Sequence, residues 1–170
     1  MITDGREDEI TKSPEKKFTP EEIKSIVEKK LSNKTEDATI INRQLALWVK
    51  PENLLEVCRF LKESELDFGH PSCLSGVDRR EYLEVVYHLY SITRRHKITV
   101  KVRVSCEEPM VPSLHSIYKG VDWHEREAAE MFGIVFQGHP DPRHLLLDED
   151  VKGHPLRKNF AAHHRKETNP

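Results

Sequence analysis

The chain lacks most of the easily recognised chemistries. Its 170 residues hold three cysteines, Cys58, Cys73 and Cys106. They are odd in number and far apart, which excludes a disulfide framework and a CxxC metal site and leaves reduced, mostly buried thiols. No apolar run approaches the roughly 18 residues of a membrane span. Neither sign of charge prevails: 27 Lys and Arg against 29 Asp and Glu leave a net −2, so there is no global electrostatic footprint for nucleic acid. A Gly-rich phosphate loop, a GxSxG elbow and a Cys/His dyad signature are all missing. What is present is 36% hydrophobic residues, enough for a core, beside 33% charged residues. That is the balance of a soluble domain of ordinary size with an appended segment.

Residues 1–18 mix Asp, Glu, Lys, Thr and Ser with no apolar h-region, so they read as a mobile leader rather than a secretory signal. A domain over 19–110 follows. Thr19-Pro20-Glu21-Glu22 is a capping box with proline at the first helical position, and Ile23, Ile26, Val27 and Leu31 continue at helical spacing to about residue 32. Residues 38–49 alternate like a strand, with Asn42-Arg43 as a possible bend. Pro51 opens a second helix whose buried stripe is Leu54, Val57, Cys58 and Leu61. Residues 66–80 are mixed and broken by Gly69, Pro71 and Gly76. Residues 82–91 and 98–104 are clear alternating strands joined by Thr93-Arg94-Arg95-His96-Lys97, short enough for an antiparallel hairpin with a basic tip. The expected fold class is α+β: a mixed or antiparallel sheet covered on one face by helices, then a further helix and a long irregular C-terminal extension. Residues 112–118 read as a short helical turn closed by Gly120.

The last third carries the most information. Residues 111–160 hold an ionic helix, Asp122-Trp123-His124-Glu125-Arg126-Glu127-Ala128-Ala129-Glu130-Met131-Phe132-Gly133, and a tail built on Gly138-His139-Pro140-Asp141-Pro142-Arg143 and Gly153-His154-Pro155-Leu156-Arg157-Lys158. So much glycine and proline excludes regular helix or strand. Yet Phe136, Leu145, Leu146, Leu147 and Leu156 need burial, and about 25 irregular residues exceed an ordinary loop. The simplest solution is a segment laid on another subunit. On the helix, Val121, Ala128, Met131 and Phe132 share one side, and Arg126 and Glu130 the opposite side at i,i+4. Glu125 and Glu127 flank the apolar stripe, so one of them is expected to tie the tail or a partner to the helix through Arg143, Arg157 or tail amides. Residues 161–170 are polar and read as a frayed end.

His124 to Ala128 is one ligand short of the HExxH zinc motif, because Ala128 stands where the second His must be. A stand-alone metal-dependent hydrolase would have to draw on His124, Glu125, His139 and Asp141, with His144 and His154 as further imidazoles. A paired-carboxylate site on Glu125 and Glu127 would need opposed environments. No catalytic, cofactor or metal residue is assigned.

The string Asp122 to Ile134, with Phe136, Gly138-His139-Pro140-Asp141, Arg143, Leu146-Leu147-Asp148 and Gly153 to Lys158, resembles the signature of one family, the 30-kilodalton subunit (lettered C) of NADH-quinone oxidoreductase, or respiratory complex I. The strong part covers about residues 112 to 160. The chain departs at Pro142, where the family often has Leu, and at His144, where it often has Arg or Lys. It departs also at Val151 and at Asn159-Phe160. The resemblance implies a non-catalytic scaffold in the peripheral arm of a proton-pumping NADH:quinone oxidoreductase, at the cytoplasmic face of the cell membrane. It implies packing against the quinone-site subunit (lettered D) of that complex. FMN, iron–sulfur clusters and quinone are implied in partner subunits and none in this chain. Trp123, Glu125, Arg126, Glu127, Phe132, His139, Asp141, Arg143, Asp148, His154, Arg157 and Lys158 are the implied partner-binding and tail-anchoring residues. Related arms occur in archaeal dehydrogenases of reduced deazaflavin and in membrane-bound hydrogenases.

Overall fold

The computed structural model describes residues 16–148 and 151–160; most of the expected leader and all of residues 161–170 lie outside them. Phe18, placed with the leader by composition, is 9% exposed and belongs to the core.

Helix α1 (Pro20–Leu31) starts where the capping box directs: the Glu22 N–H donates to the Thr19 hydroxyl, and the Glu22 carboxylate accepts the Thr19 N–H. The alternating run that follows is two strands, not one. β1 (Thr35–Ile41) and β2 (Gln44–Val49) pair antiparallel about Asn42 and Arg43, both at positive φ (50° and 61°). Two left-handed residues reverse the chain as a type I′ hairpin does. A 3-10 turn at Pro51–Asn53 leads into α2 (Leu54–Glu63), which buries Leu54, Val57, Cys58 and Leu61 as its periodicity requires.

The mixed stretch holds a strand that its composition conceals. β3 (His70–Asp78) is an edge strand with a bulge between Pro71 and Cys73. Proline and bulges are tolerated at an edge, where the outer side of the ladder is unpaired. β4 (Tyr82–Ser91) and β5 (His96–Ser105) form the expected hairpin. The sheet order is β1-β2-β5-β4-β3, antiparallel except for the parallel pair β2·β5, so the sheet is mixed. Leu83, Val85, Tyr87 and Leu89 of β4 and Ile98, Val100 and Val102 of β5 are at most 1% exposed and join the helical stripes in one core.

Residues 113–118 make a single turn, with Leu114 O accepting the N–H of Ile117 and of Tyr118, and a 3-10 turn at Lys119–Val121 passes into α3 (Asp122–Phe132). Short parallel strands β6 (Met110–Pro112) and β7 (Val135–Gln137) bracket α3. Phe136 therefore sits in the chain's own core, 7% exposed, and needs no foreign surface.

Candidate functional site

Helix α3 lies against the edge strand β3 because Gly76 leaves room for Phe132. A Cβ at Gly76 would run into the Phe132 ring. Phe132, a predicted partner contact, is thereby a buried wedge between helix and sheet. The helix ends at Gly133, left-handed at φ 70°, where a Cβ would also strike the His154 ring.

Residues 138–148 and 151–160 return along α3 as an irregular strap. It is held by backbone groups more than by side chains. The Arg126 guanidinium donates to the carbonyls of Arg143 and His144, each at 2.9 Å. One turn on, the Glu130 carboxylate accepts the N–H groups of Leu145 (2.9 Å), Leu146 (3.0 and 3.2 Å) and Leu147 (3.3 Å). Three successive amides aimed at one carboxylate form an anion nest. The i,i+4 pair thus divides its work: the cation takes the strap's carbonyls and the anion its amides. Glu130 is 4% exposed although the helical wheel puts it opposite the apolar side. It, rather than Glu125 or Glu127, ties the strap to the helix.

Further along, the strap caps the C-terminus of α3. The carbonyls of Glu130, Met131 and Phe132 have no partner within the helix. They accept from His154 Nδ1 (2.9 Å), the Leu156 N–H (3.1 Å) and Arg157 Nε (2.6 Å). Arg157 also donates to Cys106 O at 3.0 Å, and the Lys158 N–H to the Asp78 carboxylate at 2.8 Å. Arg157 is therefore a cap, not a carboxylate partner, and Arg143 pairs with Asp141 at 2.7 Å through two nitrogens. Arg126 stands 3.5 Å from the same Asp141, and this double guanidinium contact holds the Asp141 carboxyl well below the usual carboxylate range.

Glu125 found its donors in the segment before the helix. It is fully buried and accepts the Ser113 hydroxyl and the Leu114 N–H (2.8 Å). Burial still pushes its pKa up, against the pull of those two bonds and of His139. Glu127 is exposed and makes no hydrogen bond among the described residues.

His115, Asp122 and His139 bring one ligand atom each within 4.8 Å of the others. The tautomer argues against a metal there. His139 Nδ1 accepts the Asp141 N–H at 3.1 Å, which places the proton on Nε2, where it donates to Asp122 O at 3.2 Å. A protonated ring nitrogen is not a ligand. The hydrolase reading finds no free carboxylate either: His139 Nε2 lies 4.0 Å from Glu125, but Asp141 is held by arginines and Glu125 by Ser113 and Leu114.

Of the predicted contact residues, Trp123, Glu127, Arg143, Asp148 and Lys158 are exposed, while Glu125, Arg126, Phe132, His139, Asp141, His154 and Arg157 are committed within the chain. Glu130, Gly76 and Ser113 were not anticipated; only the Arg126/Glu130 spacing hinted at one of them. Three large apolar side chains also face outward: Trp123 is 69% exposed, Leu146 63% and Leu156 54%. Between α3 and the strap lies a recess of about 370 Å³ floored by Ala129, Ile134 and Phe136.

Residues 47–166 match the family described as "Respiratory-chain NADH dehydrogenase, 30 Kd subunit". The NADH-quinone oxidoreductase subunit lettered C of Roseiflexus sp. (strain RS-1) is 47% identical over 119 residues, 68% of each chain. Its counterpart in Mesorhizobium japonicum is 39% identical over 143 residues, 82% of this chain and 71% of that one. Two solved structures share the fold. The trypsin-resistant fragment (1-134) of Nqo5 has a TM-score of 0.62 at 25% identity, over 70% of this chain and 98% of that one. A chain of the membrane-bound sulfane sulfur reductase, an archaeal respiratory membrane complex, has a TM-score of 0.69 at 27% identity, over 83% and 84%.

Proposed function

This chain belongs to the respiratory-chain NADH dehydrogenase 30 Kd subunit family, and we propose that it is a non-catalytic scaffold in the peripheral arm of a proton-pumping NADH:quinone oxidoreductase, seated on the quinone-site subunit at the cytoplasmic face of the membrane. The observation that carries this reading is three outward apolar side chains on α3 and the strap, Trp123, Leu146 and Leu156, each more than half exposed. Large apolar side chains left in solvent on one helix and the strap that covers it are what an interface core needs. The strap presents Leu146 and Leu156 in a fixed geometry because their own N–H groups are already satisfied on α3. Electron transfer between fixed centres demands such rigid placement of subunits.

In this reading FMN, iron–sulfur clusters and quinone belong to partner subunits. Glu125, the buried carboxylate beside α3, is spent on Ser113 and Leu114, and three scattered thiols cannot hold a cluster. No helix among the described residues is long and apolar enough to cross a membrane, so the chain would reach the membrane through the complex. The likeness to an archaeal respiratory membrane complex keeps a second reading, the equivalent subunit of an arm fed by another donor. The greater identity to quinone-linked relatives favours the first.

The test is co-purification with the quinone-site subunit. Trp123→Glu with Leu156→Glu is expected to leave the chain folded and to abolish co-purification, and Glu127→Lys, one turn along the same face, to weaken it. Recovery of the quinone-site subunit in undiminished yield with the double variant would refute the reading.

A further inference from the structure

At the other end of the sheet three segments meet that the strap never reaches. They are Lys16–Phe18 before α1, the β1·β2 turn at Asn42-Arg43, and the β4·β5 turn at Ile92–Arg95. Arg94 joins the first to the third, donating to Lys16 O at 3.1 Å and lying 5.2 Å from the Phe18 ring centre. Between them runs a groove of about 590 Å³ floored by Phe18, Pro20 and Ile23. Its charged lining is Lys17, Arg43, Arg95 and Lys97, with no Asp or Glu. All four are exposed, and none has an acidic partner among the described residues. In a chain of net charge −2 this is a local inversion of sign.

The backbone makes the same point independently. Arg43 and Arg95 both sit in the left-handed region, at φ 61° and 53°. Glycine occupies such hairpin positions without strain, whereas another L-residue costs about 1–2 kcal/mol. Two turns that could each be relieved by glycine instead carry a guanidinium, and both guanidinium groups line the same groove. Asp67 and Arg80 are left-handed elsewhere in the chain, so what is particular here is that both strained arginines line one groove. Beside the cations stand Ile41 and Ile92, 50% and 66% exposed. A groove that joins four cations to an apolar floor, with two isoleucines exposed at the turns that border it, is matched by an acidic peptide with interleaved apolar residues. A flat bilayer does not enter a concave groove, and nucleic acid would gain nothing from the isoleucines.

We propose that this groove docks an acidic, partly apolar segment of a neighbouring subunit, a second attachment point about 30 Å from the strap along the ten residues of β5. The proposal rests on the scaffold reading and extends it: the chain would bridge two contacts at opposite ends of one sheet.

The test is zero-length carbodiimide cross-linking of the intact, purified complex that contains this chain, mapped by mass spectrometry. The expected result is an amide between Lys17 or Lys97 and an Asp or Glu of another subunit. Arg43→Gly with Arg95→Gly leaves both lysines in place and relieves the turn strain. This variant is expected to keep or raise the melting temperature of the isolated chain while abolishing the cross-link. Cross-links from these lysines only to carboxylates of this same chain would overturn the proposal. So would equal acetylation of both lysines in the complex and in the free chain, or protection that vanishes on delipidation. Lys158 separates the two readings: protection at Lys158 with an open groove sinks the groove alone, and an open Lys158 as well sinks the scaffold reading too.

Discussion

The Glu130 carboxylate accepts the Leu146 N–H through both its oxygens, at 3.0 and 3.2 Å. This contact, with its neighbours at Leu145 and Leu147, converts a proline-rich segment into a shaped surface. Hydrogen bonds to a charged group contribute about 1.5–3 kcal/mol each. Glu130→Ala is therefore expected to loosen the strap by at least about 1.5 kcal/mol, roughly a tenfold rise in its open population. Trypsin cleavage after Arg143 and Lys152 would report it, with little change in the melting temperature of the sheet domain.

Glu125 makes stability fall with pH. Its pKa in the folded chain is raised above the ordinary 4.5 because burial disfavours the carboxylate. A raised native pKa means the folded state holds the proton more tightly. The contribution to stability is complete below the ordinary value and is lost as pH rises through the folded value. Glu125→Gln is expected to flatten this part of the melting-temperature profile and to lie within about 1 kcal/mol of the native chain at neutral pH. Glu125→Ala leaves the Leu114 N–H and Ser113 hydroxyl without an acceptor, at a cost of about 2–4 kcal/mol.

The approach of Phe132 to Gly76 sets the position of α3 on the edge strand. Gly76→Ala overpacks that contact and is expected to cost about 1–3 kcal/mol. Adding Phe132→Leu should recover part of the loss, so the double variant is more stable than the sum of the singles predicts. Urea unfolding of the four species measures the coupling.

Gly133→Ala strikes twice, at a left-handed φ and at the His154 ring. Displacing His154 uncaps Glu130 O, so the strap is expected to exchange its Leu156 and Arg157 amides faster than in the native chain. Hydrogen exchange resolves this from global unfolding, because amides of β4 and β5 should keep their protection.

Particular residues show where sequence patterns were enough. Thr19 and Glu22 marked α1 because capping is settled within four residues. Leu54, Val57, Cys58 and Leu61 marked α2, and the alternation of β4 and β5 declared both strand and buried face, because a period of 3.6 or 2 is a local property. β3 stayed hidden since an edge strand is shaped by its neighbours: Pro71 and Gly76 suit its unpaired side and the Phe132 ring, not strand propensity. The split of residues 38–49 falls at the bend that Asn42-Arg43 suggested: Asn tolerates the left-handed region, but an arginine following it there is not foretold by composition.

By itself the sequence determined the α+β class, the capped first helix and the stripe of the second, the central hairpin, the irregular tail and, through one long motif, the family. Each of these is written in short-range spacing or in an unbroken string. Only the tertiary structure decided which carboxylate serves which purpose. Glu125 turned inward to Ser113 and Leu114, Glu127 stayed in solvent, and Glu130, on the polar side of its own helix, was buried by amides 15 to 17 residues further along the chain. A helical wheel records the faces of one element; the donors that fill a carboxylate come from whatever the fold lays across it.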